Sequence, residues 1–362
     1  MTTEALWSDL ILPAELTGYA RAAQEDYERQ WGTLARYLPN EYVPDIVARF
    51  EVGKAGLLPV APFRSYDAET PLGKLQGRQR VTIELPPIGE KLRVSEYDQL
   101  RFRGNTSQTF ILNAVLDITR QIVRDVNDRL EVARGQAIET GELDVDENGF
   151  VQSADWERDP SLEVAATNNG GSLWSDPDDA TPLADLDAWC QHFQDVNNMM
   201  PGSLLTSRTV VRNLARTAEM RNLYASLVGR PSVINRNSIN EVLADNDIPP
   251  IDIYERHAVF DNGDGDGEKV RSILSPNKIF LLPAPVDPNS GNNGFGATYW
   301  GQTLEADEPE YGLQPEEQPG IVAGTWKTRD PIGVWVHCNA IGLPVLGDAN
   351  RSLVATVLAD AS

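Results

Sequence analysis

Apolar residues recur every three or four positions in some segments of the chain and every second position in others, and the order of these textures predicts the elements. Over 14–38, Leu16, Ala20, Ala23, Tyr27, Trp31, Leu34 and Leu38 follow helical spacing. Glu15, Arg21, Glu25, Asp26 and Arg29 fall elsewhere on that helix, and Pro39 is predicted to stop it. Such a helix either packs on its own domain or lies as an arm on a neighbouring copy, and the pattern leaves both open. Over 80–85 the period becomes two: Val81, Ile83 and Leu85 face one way, and Arg80, Thr82 and Glu84 face the other. Pro86 and Pro87 are expected to end that strand. An apolar run at 57–63, broken by Pro59 and Pro62, precedes a polar stretch at 65–79. The region therefore reads as a long hairpin with little core of its own.

The strongest helical signal follows. Ile111, Val115, Ile118, Ile122, Val126, Leu130, Ala133 and Ala137 form a continuous stripe, with Asn105 or Thr106 as the cap. About thirty residues at 1.5 Å each make a rod of roughly 45 Å. Asn148-Gly149 between alternating runs predicts a hairpin from 142 onwards. Residues 158–180, rich in turn formers, are expected to be a surface loop. A helix is predicted over 183–198 around Leu186, Trp189, Cys190 and Phe193, and another over 208–228 after a cap at Thr206 or Ser207. The second carries Val211, Leu214, Ala215, Ala218 and Leu223 on its apolar face and Arg208, Arg212, Arg216 and Arg221 on the other. A short helix at 238–246 and strands near 251–254, 279–282, 335–346 and 353–358 complete an α+β pattern without internal repeats.

Composition sharpens this picture. A chain of 362 residues with 41% hydrophobic and 23% charged residues is globular and long enough for two or three lobes. With 31 basic and 54 acidic residues its net charge is −23, which argues against a nucleic-acid-gripping surface. Charge is unevenly distributed. Lys74, Arg78, Arg80, Lys91 and Arg93 outnumber Glu84 and Glu90, while Glu305, Asp307, Glu308, Glu310, Glu316 and Glu317 form a proline-punctuated acidic loop. Two cysteines, Cys190 and Cys338, are read as reduced core residues. The first nine residues lack the basic region of a signal peptide, and no apolar run approaches a membrane span.

Candidate chemistry is sparse. The run from Asp261 to Gly267 imitates half of a calcium loop, but Ile273 occupies the position that needs a bidentate Glu, so a hairpin turn is expected. His192, His257 and His337 have no metal-ligand spacing. No nucleophile elbow or phosphate loop is present, and an exposed acidic loop lacks the burial that tunes catalytic carboxylates. No catalytic, cofactor-binding or metal-binding residue is assigned, and no enzyme activity is expected.

Several segments carry a family resemblance: Pro59-Val60 through Thr82-Ile83-Glu84-Leu85-Pro86-Pro87; the helix end Ala137-Ile138-Glu139-Thr140-Gly141-Glu142-Leu143; Ile279-Phe280-Leu281-Leu282-Pro283; the 296–301 run Gly-Ala-Thr-Tyr-Trp-Gly; and the closing strands. In this order, over about 45–360, the chain resembles the lambda-like major capsid protein E family of tailed bacteriophages, with the Hong Kong 97 capsid fold. The resemblance implies an N-terminal arm (1–50) and an extended β-hairpin loop (51–96). It also implies a peripheral domain (97–185 and 326–344, spine helix 106–137) and an axial domain (186–325 and 345–362). It implies pentamers and hexamers tiling an icosahedral shell around double-stranded DNA, without sequence-specific binding and without a membrane. Assembly in the host cytoplasm, a scaffold or maturation protease, a portal and a decoration or cement protein come with it. The location is the virion capsid.

Inter-subunit contacts are expected from Tyr27, Trp31, Lys74, Arg78, Arg80, Lys91 and Arg93, and from Glu305, Asp307, Glu308 and Glu310 on the acidic side. Some relatives weld subunits through a Lys–Asn bond. Lys74 is placed as donor, but 326–331 contains no Asn, so no weld is expected. Two alternatives are an encapsulin-like bacterial compartment of the same fold and an acidic soluble hydrolase.

Overall fold

The computed structural model describes residues 6, 8–52, 79–101, 107–147, 149–228, 234–261, 268–330 and 332–359. The first part of the chain forms α1 (Pro13–Trp31), β1 (Asn40–Tyr42), β2 (Val47–Val52), β3 (Gln79–Glu84), β4 (Pro87–Val94), α2 (Glu96–Arg101) and α3 (Ser107–Thr140). Then come β5 (Glu142–Glu147), β6 (Phe150–Asp155), β7 (Glu163–Ala165), α4 (Pro182–Asn197), β8 (Ser203–Thr206), α5 (Arg208–Leu214), α6 (Ala218–Val228) and α7 (Arg236–Ala244). The last part forms β9 (Ile251–Ile253), β10 (His257–Asp261), β11 (Glu268–Ser272), β12 (Lys278–Leu282), β13 (Gly296–Gly301), α8 (Leu304–Asp307), β14 (Val322–Arg329), β15 (Ile332–Leu346) and β16 (Leu353–Thr356).

Two five-stranded sheets organise the molecule. In the first, the long strand β15 pairs antiparallel with β13 and β14 along one side and with β4 along the other, and β1 adds parallel to β13. In the second, the order is β7-β16-β12-β8-β9. The unbroken apolar run Ile279–Leu282 lies near its centre because both of its faces are buried. The 34-residue helix α3, about 50 Å long at 1.5 Å per residue, lies against the first sheet. Its predicted stripe is the packed face: Val115, Ile122, Val126 and Leu130 meet Val94, Val334, Val336 and Cys338. A second core cluster packs α4 and α7 on the second sheet through Trp189, Phe193, Ile239 and Leu243. A third, with Tyr37, Ala137, Phe280 and Val345, joins the two sheets. Both cysteines are free and buried, and burial pushes their thiols up, to about 11 for Cys190 and about 12 for Cys338.

Several expectations need correction. Helix α1 ends at Gly32, which takes the left-handed conformation at φ 56°, well before Pro39. It packs on its own chain: Leu16 and Ala20 sit in the α3 core, and Thr17 exchanges hydrogen bonds with the Ala323 backbone. Strand β3 does end before Pro86 and Pro87 as expected, but a further strand, β4, starts at Pro87 and becomes an edge of the first sheet. Residues 158–180 are not merely a surface loop: they supply β7 to the second sheet and bury Leu162 and Trp174. The helix expected over 208–228 is broken. Thr217 Oγ1 donates to the Leu214 carbonyl at 2.9 Å, and the Ala218 amide donates to Pro177 instead of continuing the helix.

The 142–155 hairpin forms as expected, with Leu143 facing the core. Strands β10 and β11 flank the glycine–aspartate run as an antiparallel pair. The run itself (262–267) lies outside the described residues, as do Asn105 and Thr106.

Candidate functional site

The period of two in β15 creates two chemically different faces. Val334, Val336, Cys338 and Ala340 point to α3, and Trp335, His337 and Asn339 point the other way. On that outer face β4 places Lys91 opposite His337 and Arg93 opposite Trp335. The Lys91 ammonium lies 5.4 Å and the Arg93 guanidinium 5.9 Å from the Trp335 ring centroid. Such contacts contribute only about 0.5–1 kcal/mol each at exposed sites, so they orient the cations without neutralising them. Trp326 on β14 stacks on Trp335 at 6.1 Å and tilts against His337 at 5.0 Å.

The same face carries the acidic segment. Between β13 and β14 the chain makes an excursion anchored by Ala306 and Tyr311, both buried against Val322. The Tyr311 hydroxyl lies 2.8 Å from His337 Nε2, and Asn339 donates to Glu305 at 2.5 Å. Burial lowers the His337 pKa, opposed by Glu305 and aided by Lys91, which favours the neutral ring. Asp307, Glu308 and Glu310 stay exposed, with Asp307 accepting from Gln302. Leu304 beside them is 81% exposed. The acidic loop is thus pinned at Glu305 and Tyr311, with Asp307 tied to Gln302, and its crest is exposed.

The expected contact residues separate into distinct places. Lys91 and Arg93 belong to the sheet edge rather than to the projecting hairpin. Lys74 and Arg78 lie outside the described residues; Arg80 is on β3 opposite Glu51, and Trp31 ends α1, both with side chains outside the description. Tyr27 is drawn inward. It is 7% exposed, and its hydroxyl bonds Asp128 on α3 and Arg256.

Tyr27 marks the rim of a buried ionic cluster that the sequence reading did not foresee. Arg134 is held between Glu28 at 3.5 Å and Glu131 at 3.3 Å, and donates to Thr298 at 2.8 Å and Asn40 at 3.1 Å. Glu131 also accepts from Tyr254 at 2.7 Å and from the Leu34 amide at 2.8 Å. Burial raises the Glu28 carboxyl despite Arg134 beside it. This cluster ties α1, α3, β1 and the β9–β10 turn together.

Some exposed apolar residues lie on thin elements. Val259 and Val270 face each other across the β10–β11 hairpin at 58% and 66% exposure. Val151 on the β5–β6 hairpin is 73% exposed, and Ile332 at the β14–β15 tip is 55% exposed. Two-stranded hairpins are marginal by themselves and offer unpaired edges.

Among the described residues no group of three or more His, Cys, Asp or Glu could hold a metal ion, and no helix is long and apolar enough to cross a membrane. The outer-face role of Trp335 was readable from its alternation with Val334 and Val336. The stacking partner Trp326 was not, because it comes from a strand the pattern did not reveal.

Comparison with known proteins agrees with this architecture. A prophage protein of E. coli CFT073 assigned as a capsid protein superposes with a TM-score of 0.61 at 15% identity, covering 96% of this chain and 99% of that one. A phage-related protein of Bordetella bronchiseptica RB50 superposes with a TM-score of 0.58 at 14% identity, covering 99% of this chain and 100% of that one. At such identities the likeness is one of fold, and it agrees with the Hong Kong 97-type architecture expected above. No curated protein matches the chain. Residues 14–357 match the family model described as phage major capsid protein E, and the chain belongs to that family.

Proposed function

We propose that this chain forms pentamers and hexamers that close into an icosahedral shell around double-stranded DNA. It acts as structural protein and not as catalyst. The observation that carries this reading is the presence of exposed apolar side chains on thin hairpins, such as Val151 and the pair Val259 and Val270, in a subunit whose family builds capsids. These side chains add nothing to the core of one copy and gain buried area only against another. Repetition around closed rings turns individually weak contacts into a stable wall. The net charge of −23 suits a container that must not grip its cargo.

In this reading α3 with the first sheet is the peripheral domain, and the second sheet with α4–α7 is the axial domain. The hairpin based on β2 and β3 is the extended loop. Assembly takes place in the host cytoplasm, with a scaffold or maturation protease, a portal and a decoration or cement protein as partners. The phage family match favours a virion over an encapsulin-like compartment.

The test is negative-stain microscopy and sedimentation of the full-length protein, alone and with the assembly genes adjoining its own. Capsomers or closed shells are expected. A monomer at every concentration and with every neighbouring gene product would defeat the proposal.

A further inference from the structure

Lys91 and Arg93, like Arg212, Arg216 and Arg236, lack a carboxylate partner among the described residues of a chain with such an excess of acid, but the first two share one indole. Arg36, Arg129, Arg158, Arg208 and Lys278, among others, each have a carboxylate of their own chain within 4.0 Å. Among the described residues Lys91 and Arg93 have none. They lie over the half-buried Trp335, the Arg93 side chain donates only to the Ile332 carbonyl at 3.2 Å, and its Nε is buried without a partner. Ile332 itself is exposed. The result is a cationic and apolar socket at the edge of the first sheet. An indole and a guanidinium are the groups that most often anchor a protein contact.

The complementary shape is present on the same molecule. Among the described residues Leu304 is the most exposed of the large apolar ones, and Asp307, Glu308 and Glu310 follow it closely. The Glu305–Asn339 and Tyr311–His337 contacts hold this knob in place on its own sheet, where its carboxylates form no ion pair with Lys91 or Arg93 of the same copy. A knob and a socket on one molecule that do not meet each other describe a contact between copies.

We propose that the 304–310 segment of one copy docks on the Lys91–Arg93–Trp335 socket of the next, with Leu304 against the indole and the carboxylates on the two cations. This deepens the assembly reading above and rests on it. Glu305 serves to position the segment rather than to make the contact, because it is half-buried and held by Asn339, whereas Asp307, which accepts from Gln302, is exposed.

The experiment compares the full-length wild type with three variants: Lys91→Glu/Arg93→Glu, Asp307→Lys/Glu308→Lys/Glu310→Lys, and the two sets combined. Assembly is followed by light scattering and particles by negative stain, with thermal melting to check the fold. Each one-sided reversal is expected to melt like the wild type and to lose assembly rate on the order of tenfold or more at low salt. The combined variant is expected to recover particles, because the charges again match. Normal assembly of either one-sided variant overturns this contact while leaving shell formation intact. Loss that the combined set does not repair also overturns it, since the socket then meets another partner, such as DNA or an accessory protein. A wild type that never assembles overturns the parent reading as well.

Discussion

Arg134 shows how a single side chain links segments distant in sequence. Its guanidinium sits at 1% exposure between Glu28 and Glu131, with Thr298 and Asn40 taking further donors. Removing one member of such a group leaves uncompensated charge in the interior, which costs about 3–5 kcal/mol. Arg134→Met should therefore lower the stability to urea by about that amount; a loss under about 1 kcal/mol would mean that the cluster relaxes freely.

Asp125 gives a residue-scale pH effect. Partial burial, then the neighbouring Glu90 charge and hydrogen bond, then Asp128, raise its pKa from 3.8 to about 6, with Arg124 opposing. The folded state thus binds this proton more tightly than the unfolded chain does. Ionised Asp125 weakens the fold above about pH 6, and the penalty fades as pH falls towards 3.8. Asp125→Asn should raise the melting temperature at pH 7 and give a smaller gain at pH 5. An equal gain at both values would refute the linkage.

Helix glycines separate propensity from packing at the scale of elements. On α1, a Cβ at Gly18 would meet nothing within 4 Å. On α3, a Cβ at Gly135 would fall 2.4 Å from Ile273 Cγ2 and 3.0 Å from the Ile273 carbonyl oxygen. Alanine gains up to about 1 kcal/mol over glycine inside a helix, whereas overpacking costs about 1–3 kcal/mol. Gly18→Ala should thus stabilise by about 0.5–1 kcal/mol and Gly135→Ala should destabilise, both read by thermal melting. Equal effects would contradict the close approach of α3 to the segment after β11.

At the scale of the whole molecule, folding and assembly draw on different side chains. Val259 and Val270 lie outside all the core clusters and are more than half exposed. Replacing both by Asn should change stability by no more than about 0.5 kcal/mol, as for other surface positions, while particle yield falls sharply in gradient sedimentation. Unchanged yield would remove this hairpin from the assembly surface. The acidic crest and the cationic socket should also make assembly slower as salt rises, because exposed charges are screened over about 8–10 Å.

Local pattern alone determined the elements whose period lasts for many residues. The stripe from Ile111 to Ala137 announced α3, Asn148-Gly149 announced the β5–β6 hairpin, and Leu186 to Phe193 announced α4, because one buried face imposes its period on a long run. The family resemblance supplied the capsid reading and the order of parts. Tertiary structure decided what pattern could not carry. Period reports that a face is buried, not against which partner. Whether α1 packs on its own α3, whether β4 belongs to a projection or to a sheet, and which strand brings Trp326 to Trp335 all depend on pairing between residues far apart in the chain. The same holds for charge: Tyr27 was drawn inward by Asp128 and Arg256, Glu305 was held by Asn339, and Lys91 and Arg93 were left over an indole without a carboxylate, because electrostatic partners are chosen by distance in space.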